Sequence, residues 1–155
     1  FPVDLDAYPL PRMVQAGAET LPYRTGAFDT VVFAEIIEHL SNPYPALSEL
    51  RRVTRPGGRV IITTPDEHRW APERRPLMTL DERLAVDNLT FEAVYAHETR
   101  RAVRTTDERT HPHLWHSWHY DAPLLRRVLA DAFRGARVEP LCYGGWYFLC
   151  AEARV

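Results

Sequence analysis

Between Gly26 and Pro65 two apolar runs flank one amphipathic stretch. Asp29-Thr30-Val31-Val32-Phe33-Ala34 is short and rich in β-branched residues, the pattern of a strand buried on both faces. Pro45 to Arg55 places Ala46, Leu47, Leu50 and Val53 at the spacing of one helix face. Ser41-Asn42-Pro43 supplies capping side chains and a proline near that helix's start. Pro56-Gly57-Gly58 predicts the helix end, with a glycine free to take positive φ. Arg59 to Thr64 predicts a second buried strand, closed by Pro65. Two such strands joined through a helix predict a right-handed βαβ unit in a parallel sheet.

The flanks extend this picture. Phe1 to Asp6 and Met13 to Ala16 read as strands, separated by a stretch whose Pro9 and Pro11 exclude a helix interior. Leu80 to Val86 and Leu89 to Val103 have helix-compatible spacing, with Leu84, Phe91, Val94 and Tyr95 as their buried faces. Asp121 caps a further helix that carries Pro123 in its first turn and Leu124, Leu125, Val128, Leu129 and Ala132 on its apolar face. Ala136 to Cys142 and Trp146 to Ala153 read as two strands around the hairpin signal Gly144-Gly145. The fold class is α/β.

Composition narrows the function. A chain of 155 residues predicts one domain with a real core. A net charge of −2 gives no global field that favours nucleic acid or an acidic membrane. No apolar run approaches membrane-spanning length, and nothing resembles a signal peptide. Cys142 and Cys150 make no disulfide framework or metal-ligand pattern. They predict a reducing cytoplasm and two buried thiols, with a disulfide as the alternative if they lie on neighbouring strands. Composition and spacing alone stop at a nucleotide-type α/β domain.

A family resemblance goes further. LPYRTGAFDTVVFAEIIEHL followed by ALSELRRVTRPGGRVIITTP resembles the middle of a class I S-adenosylmethionine-dependent methyltransferase. That family has a Leu-Pro-aromatic step, a Phe-Asp opening its fourth strand, an acidic Glu-His-Leu after it and Arg-Pro-Gly-Gly before its fifth strand. The resemblance is dense over Ala16 to Pro65 and weaker over Trp118 to Ala153. It implies a Rossmann-like three-layer sandwich, with a mostly parallel sheet and an antiparallel C-terminal hairpin. It implies one partial domain over 1–155, with a helical insertion at about 66–113 where relatives place a substrate-binding lid. The cofactor it implies is S-adenosylmethionine, and the reaction is methyl transfer to an oxygen, nitrogen or carbon of a small molecule. Nucleic acid and membrane are not expected partners, and the oligomeric state stays open. Gly17, Gly26, Gly57, Gly58, Gly135, Gly144 and Gly145 form no G-x-G-x-G. The family's first strand and glycine-rich loop therefore have no counterpart, and a partial domain is expected.

The resemblance also assigns residues. An acid at the end of the second strand accepts hydrogen bonds from ribose hydroxyls, which points to Asp4 first and Asp6 second. Gly17, Ala18 and Glu19 fall in the loop that frames the adenine. Gly17 stands where relatives carry an Asp that receives the adenine amino group, which leaves the backbone N–H of Ala18 to serve the ring. Phe33, Ala34 and Glu35 line the cofactor through their backbone. His39 has two readings: a general base or substrate contact, and a structural histidine bonded to nearby backbone. Trp115, His116, Trp118, His119 and Tyr120 are expected first as substrate-pocket wall, then as packing. His111, His113, His116 and His119 also raise a metal site, but their spacing matches no zinc motif, and no metal is assigned. Arg74, Arg75, Arg100, Arg101 and Arg104 read either as a cradle for an acidic substrate or as a solvated face. Two rival functions remain: a degenerate, non-catalytic domain that acts as a binding or structural partner, and a metal-dependent enzyme built on the histidines.

Overall fold

The computed structural model describes residues 1–5, 9–40, 42–66, 69, 118 and 120–155. Strands β1 (Val3–Asp4) and β2 (Val14–Gln15) form a parallel pair. Strands β3 (Phe28–Ala34), β4 (Thr54–Pro65), β5 (Arg137–Tyr143) and β6 (Trp146–Arg154) form a second sheet, in the spatial order β3-β4-β6-β5. Helices α1 (Tyr44–Val53) and α2 (Ala122–Ala132) and a 3-10 turn, Ile37–His39, complete the described elements. Most of the expected insertion at 66–113 lies outside the described residues. No helix among the described residues is long and apolar enough to cross a membrane.

The expected βαβ unit is present. β3 pairs in parallel with β4, with Val31 beside Val60 and Phe33 beside Ile62, and α1 makes the crossover. Helix α1 buries Ala46, Leu47, Leu50 and Val53, the predicted face. Each of those leucines contributes about 1.5–3 kcal/mol by leaving water. The helix ends differ from expectation. Asn42 Oδ1 accepts from the Tyr44 N–H at 3.1 Å, but Pro43 is the N-cap residue. At the other end the glycines do not cap the helix. Thr54 ends it with extended φ and ψ of −82° and 134°, and its hydroxyl donates to the Leu50 carbonyl at 2.7 Å. Pro56-Gly57-Gly58 belongs to the start of β4 instead. Gly58 is required there because a Cβ would lie 2.8 Å from the Asp29 carbonyl oxygen on β3.

Register places the core on one face of the sheet. Phe33 lies beside Ile62, and Ala151 lies between Ile62 and Val138, all buried. They pack with Leu47 and Leu50 of α1 and with Leu125 and Leu129 of α2. The two helices touch each other, so both cover this face. On the opposite face Val32 is 64 % exposed beside Ile61.

The C-terminal half follows its local signals. Asp121 accepts the Leu124 N–H at 2.7 Å and caps α2. Gly144 and Gly145 have φ of 59° and 84°, and Tyr143 pairs with Trp146, which is a two-residue hairpin turn that glycine makes cheap. The β5–β6 and β4–β6 pairs are antiparallel, so the sheet is mixed. One expectation fails here. Cys142 sits near the hairpin tip, beyond the cover of α2, and is exposed rather than buried. Cys150 is half-buried and opposite Glu139, so the two cysteines are not strand partners, and both are free. Burial pushes the Cys150 thiol pKa up, and Glu139 and Glu152 add to the shift.

Candidate functional site

One cleft of about 750 Å³ runs along β3 from Phe28 to Glu35, faced by Phe1 to Leu5, and takes in the carboxyl ends of β1 and β3. Small-molecule sites typically enclose roughly 300–1,000 Å³. Asp4 reaches it from the end of β1, and Ala16, Ala18 and Glu19 from the segment after β2. Phe33, Ala34 and Glu35 reach it from the end of β3, and His39 from the 3-10 turn. Open α/β sheets bind ligands at this end of their strands. Gly17 is not a lining residue, but it sits tightly between lining neighbours: a Cβ there would come 3.2 Å from Glu19 Oε2.

Glu35 turns the chain from β3 into the site. Its φ of 53° is in the left-handed region, unusual for a residue with a side chain. Two bonds to β4 hold it there. The Glu35 N–H donates to the Thr63 carbonyl at 3.0 Å, and Thr63 Oγ1 donates to Glu35 Oε1 at 2.7 Å. Such over-determination is what lets a strained residue persist.

Glu38 is 1 % exposed. A carboxylate in that position needs partners. Thr64 Oγ1 donates to its Oε2 at 3.0 Å, and its backbone carbonyl accepts the Trp118 N–H at 3.0 Å. His39 Nε2 lies 3.9 Å from Glu38 Oε1, and the His39 side chain is 21 % exposed toward the cleft.

The structure thus brings Asp4, Ala18, Glu19, Phe33, Ala34, Glu35 and His39 to one cleft. It places Trp118 and Tyr120 elsewhere. They are 9 % and 1 % exposed, belong to the hydrophobic core and do not line this cleft. Trp115, His116 and His119 lie outside the described residues, as do Asp6, His111 and His113. Among the described residues no three His, Cys, Asp or Glu side chains converge as metal ligands.

The sequence pattern does not predict the ion pair that borders the site. Glu49 and Arg52, three apart on α1, form an ion pair and reach across to the segment between β2 and β3. Arg52 Nε donates to Glu49 Oε1 at 2.6 Å and Nη2 to Oε2 at 2.7 Å. The same guanidinium donates to the carbonyls of Tyr23 at 2.7 Å and Leu21 at 3.0 Å. Glu49 Oε2 accepts the Leu21 N–H at 2.9 Å. The hydrogen bond from Arg52 holds the Glu49 carboxyl below its ordinary pKa, with smaller help from the Leu21 N–H, against the opposing effect of burial. An opposite-charge pair at helical i, i+3 spacing was the available signal, but it is common on solvated helices.

Residues 3–62 match the methyltransferase domain family. The chain is 42 % identical over 57 residues to a demethylmenaquinone methyltransferase of Streptomyces avermitilis, covering 37 % of this chain and 25 % of that protein. It is 43 % identical over 49 residues to a ubiquinone/menaquinone biosynthesis C-methyltransferase of Hahella chejuensis, covering 32 % of this chain and 20 % of that protein. The chain therefore spans about a quarter or less of the length of these relatives. Its fold is that of two solved structures. One is a SAM-dependent methyltransferase of Thermotoga maritima, described as a possible histamine N-methyltransferase, with a TM-score of 0.54 at 16 % identity over 92 % of this chain and 63 % of that one. The other is a SAM-dependent methyltransferase of Methanosarcina mazei, with a TM-score of 0.55 at 14 % identity over 92 % of this chain and 66 % of that one.

Proposed function

We propose that the chain is part of a class I S-adenosylmethionine-dependent methyltransferase, a reading that the match of residues 3–62 and the fold support, and that the protein it represents transfers a methyl group from S-adenosylmethionine to a small-molecule acceptor. The observation that carries this reading is the meeting of Asp4 and His39 in one cleft, from two segments far apart in the chain. The residues of the cleft fit the cofactor. Asp4 offers a carboxylate, an acceptor only, to the two ribose hydroxyls. Ala16 and Ala18 leave room for a flat base, and the Ala18 N–H serves its ring. Backbone from Phe33 to Glu35 lines the other side.

When bound, the cofactor supplies a methyl group already activated as a sulfonium, so the protein's main task is positioning. His39 accepts the proton that a hydroxyl or amine acceptor sheds. Glu38, fixed by Thr64, lies beside that imidazole. The turn at Glu35, pinned to β4, sets where the His39 turn begins. The net charge of −2 favours a small acceptor over a polyanion. The free cysteines suit a reducing cytoplasm.

Calorimetric titration of the native-length protein with S-adenosylhomocysteine tests the reading, beside Asp4→Ala. Binding weakened by roughly tenfold or more in the variant is expected, since a charged acceptor is lost to two donors. Absence of binding by the folded wild type would remove the enzyme reading and favour a degenerate domain, for which Gly17 in place of the family's Asp is the motive. Binding with no transfer in a His39→Ala variant would separate the base from the binding site.

A further inference from the structure

We propose that Glu49 and Arg52 are positioning residues that set cofactor affinity by clamping the segment 17–23 against α1. The inference rests on the cleft being the cofactor site. Residues 17–23 are not helix or strand, and the loop's internal backbone bonds are Thr20 N–H to the Gly17 carbonyl, 3.2 Å, and Tyr23 N–H to the Leu21 carbonyl, 2.8 Å. Ala18 and Leu21 pack against the core and the Tyr23 ring packs edge-on against Phe28, while polar bonds from this loop to the rest of the fold come from the flank of α1. The fork of Arg52 holds the carbonyls of Leu21 and Tyr23, and Glu49 holds the Leu21 N–H. The opposite face of the same helix, Leu47 and Leu50, is locked in the core. To the packing of Ala18 and Leu21 at the edge of the core, the clamp adds directional bonds that fix the backbone from Leu21 to Tyr23, beside the cleft residues Ala18 and Glu19. Arginine is needed because one planar group makes four hydrogen bonds from three nitrogens, two to a carboxylate and one to each of two carbonyls, whereas an ammonium has three donors on a single nitrogen.

The test titrates the native-length wild type, Arg52→Ala, Arg52→Lys and Arg127→Ala with S-adenosylhomocysteine and, separately, with adenosine. Arg127 pairs with Asp131 on the surface of α2, away from the cleft, and serves as the control. Both Arg52 variants are expected to raise Kd for both ligands by a common factor of roughly ten, the worth of one lost charged hydrogen bond. Lysine is expected to restore little of it. Amide exchange is expected to quicken at Ala18 to Tyr23 while the α1 core amides keep their protection. Arg127→Ala is expected to change neither. If Arg52→Ala does not fold, Glu49→Gln carries the same test at nearly constant volume. Wild-type binding with unchanged affinity in a folded clamp variant overturns this inference alone. A wild type that binds neither ligand overturns the cofactor reading, and the clamp's role with it.

Discussion

The two walls of the cleft are held by different forces. The wall of β3 and α1 is held by burial against β4 and the core: Leu47 and Val60 are fully buried, and Leu50 and Ile62 nearly so. The facing wall rests on two strands of two residues each and on a loop that touches the core only through half-buried Ala18 and Leu21 and is tied by the Glu49–Arg52 clamp. Apolar burial is non-directional and worth kilocalories per side chain. A partly exposed polar clamp adds less to stability but fixes geometry. The first wall thus decides whether the protein folds, and, under the proposed cofactor reading, the second decides how well a folded protein holds its ligand. Regions that bind are commonly drawn from the less stable end of a structure.

This division can be broken at either wall. The largest effect is expected from Leu47→Ala, which empties a fully buried site on α1. Denaturant unfolding should show a loss of about 2–5 kcal/mol. Gly58→Ala comes next, because its Cβ would sit 2.7 Å from Thr54 Cγ2 and 2.8 Å from the Asp29 oxygen. Overpacking of that kind costs about 1–3 kcal/mol, read as a lower unfolding midpoint. Asp121→Ala removes the cap of α2 and should cost about 1 kcal/mol with ligand affinity unchanged, since α2 lines neither wall.

The smallest effect is a pH dependence. Glu49 has its pKa lowered in the folded chain from an ordinary value of 4.5. A depressed carboxyl contributes its stabilisation in full above the unfolded value, and loses it as pH falls through the folded value. The clamp should therefore be unaffected from neutrality down to about pH 5 and weaken below 4.5. Amide exchange at Leu21 to Tyr23 across that window, in wild type and in Glu49→Gln, reads it. The variant should show no such step from this group.

Much of the fold could be read before the structure because its signals are local. The β-branched run at Asp29 to Ala34, the Ala46-Leu47-Leu50-Val53 face and the Gly144-Gly145 turn each state their element within a few residues. What misled was the glycine pair after α1. It reads as a cap, and Gly57 does take a positive φ of 76°, yet Gly58 serves a close approach of β4 to the Asp29 carbonyl of β3 that only tertiary contact defines. Trp118 and Tyr120 show the same limit: aromatic residues mark either a pocket wall or a core, and burial decides. Asp4 and His39 could be picked out because a resemblance named them, whereas their meeting in one cleft depends on strand order. Glu49 and Arg52 were ordinary helix charges until the loop they hold was in place.

The most direct test is an amide-resolved NMR titration of the native-length protein with S-adenosylhomocysteine. Shifts are expected to cluster at Asp4 and Leu5, at Ala16 to Glu19 and at Phe33 to His39, with the β5–β6 hairpin unmoved. Shifts centred on the hairpin or on α2 alone, or none at saturating ligand, would contradict the cofactor reading.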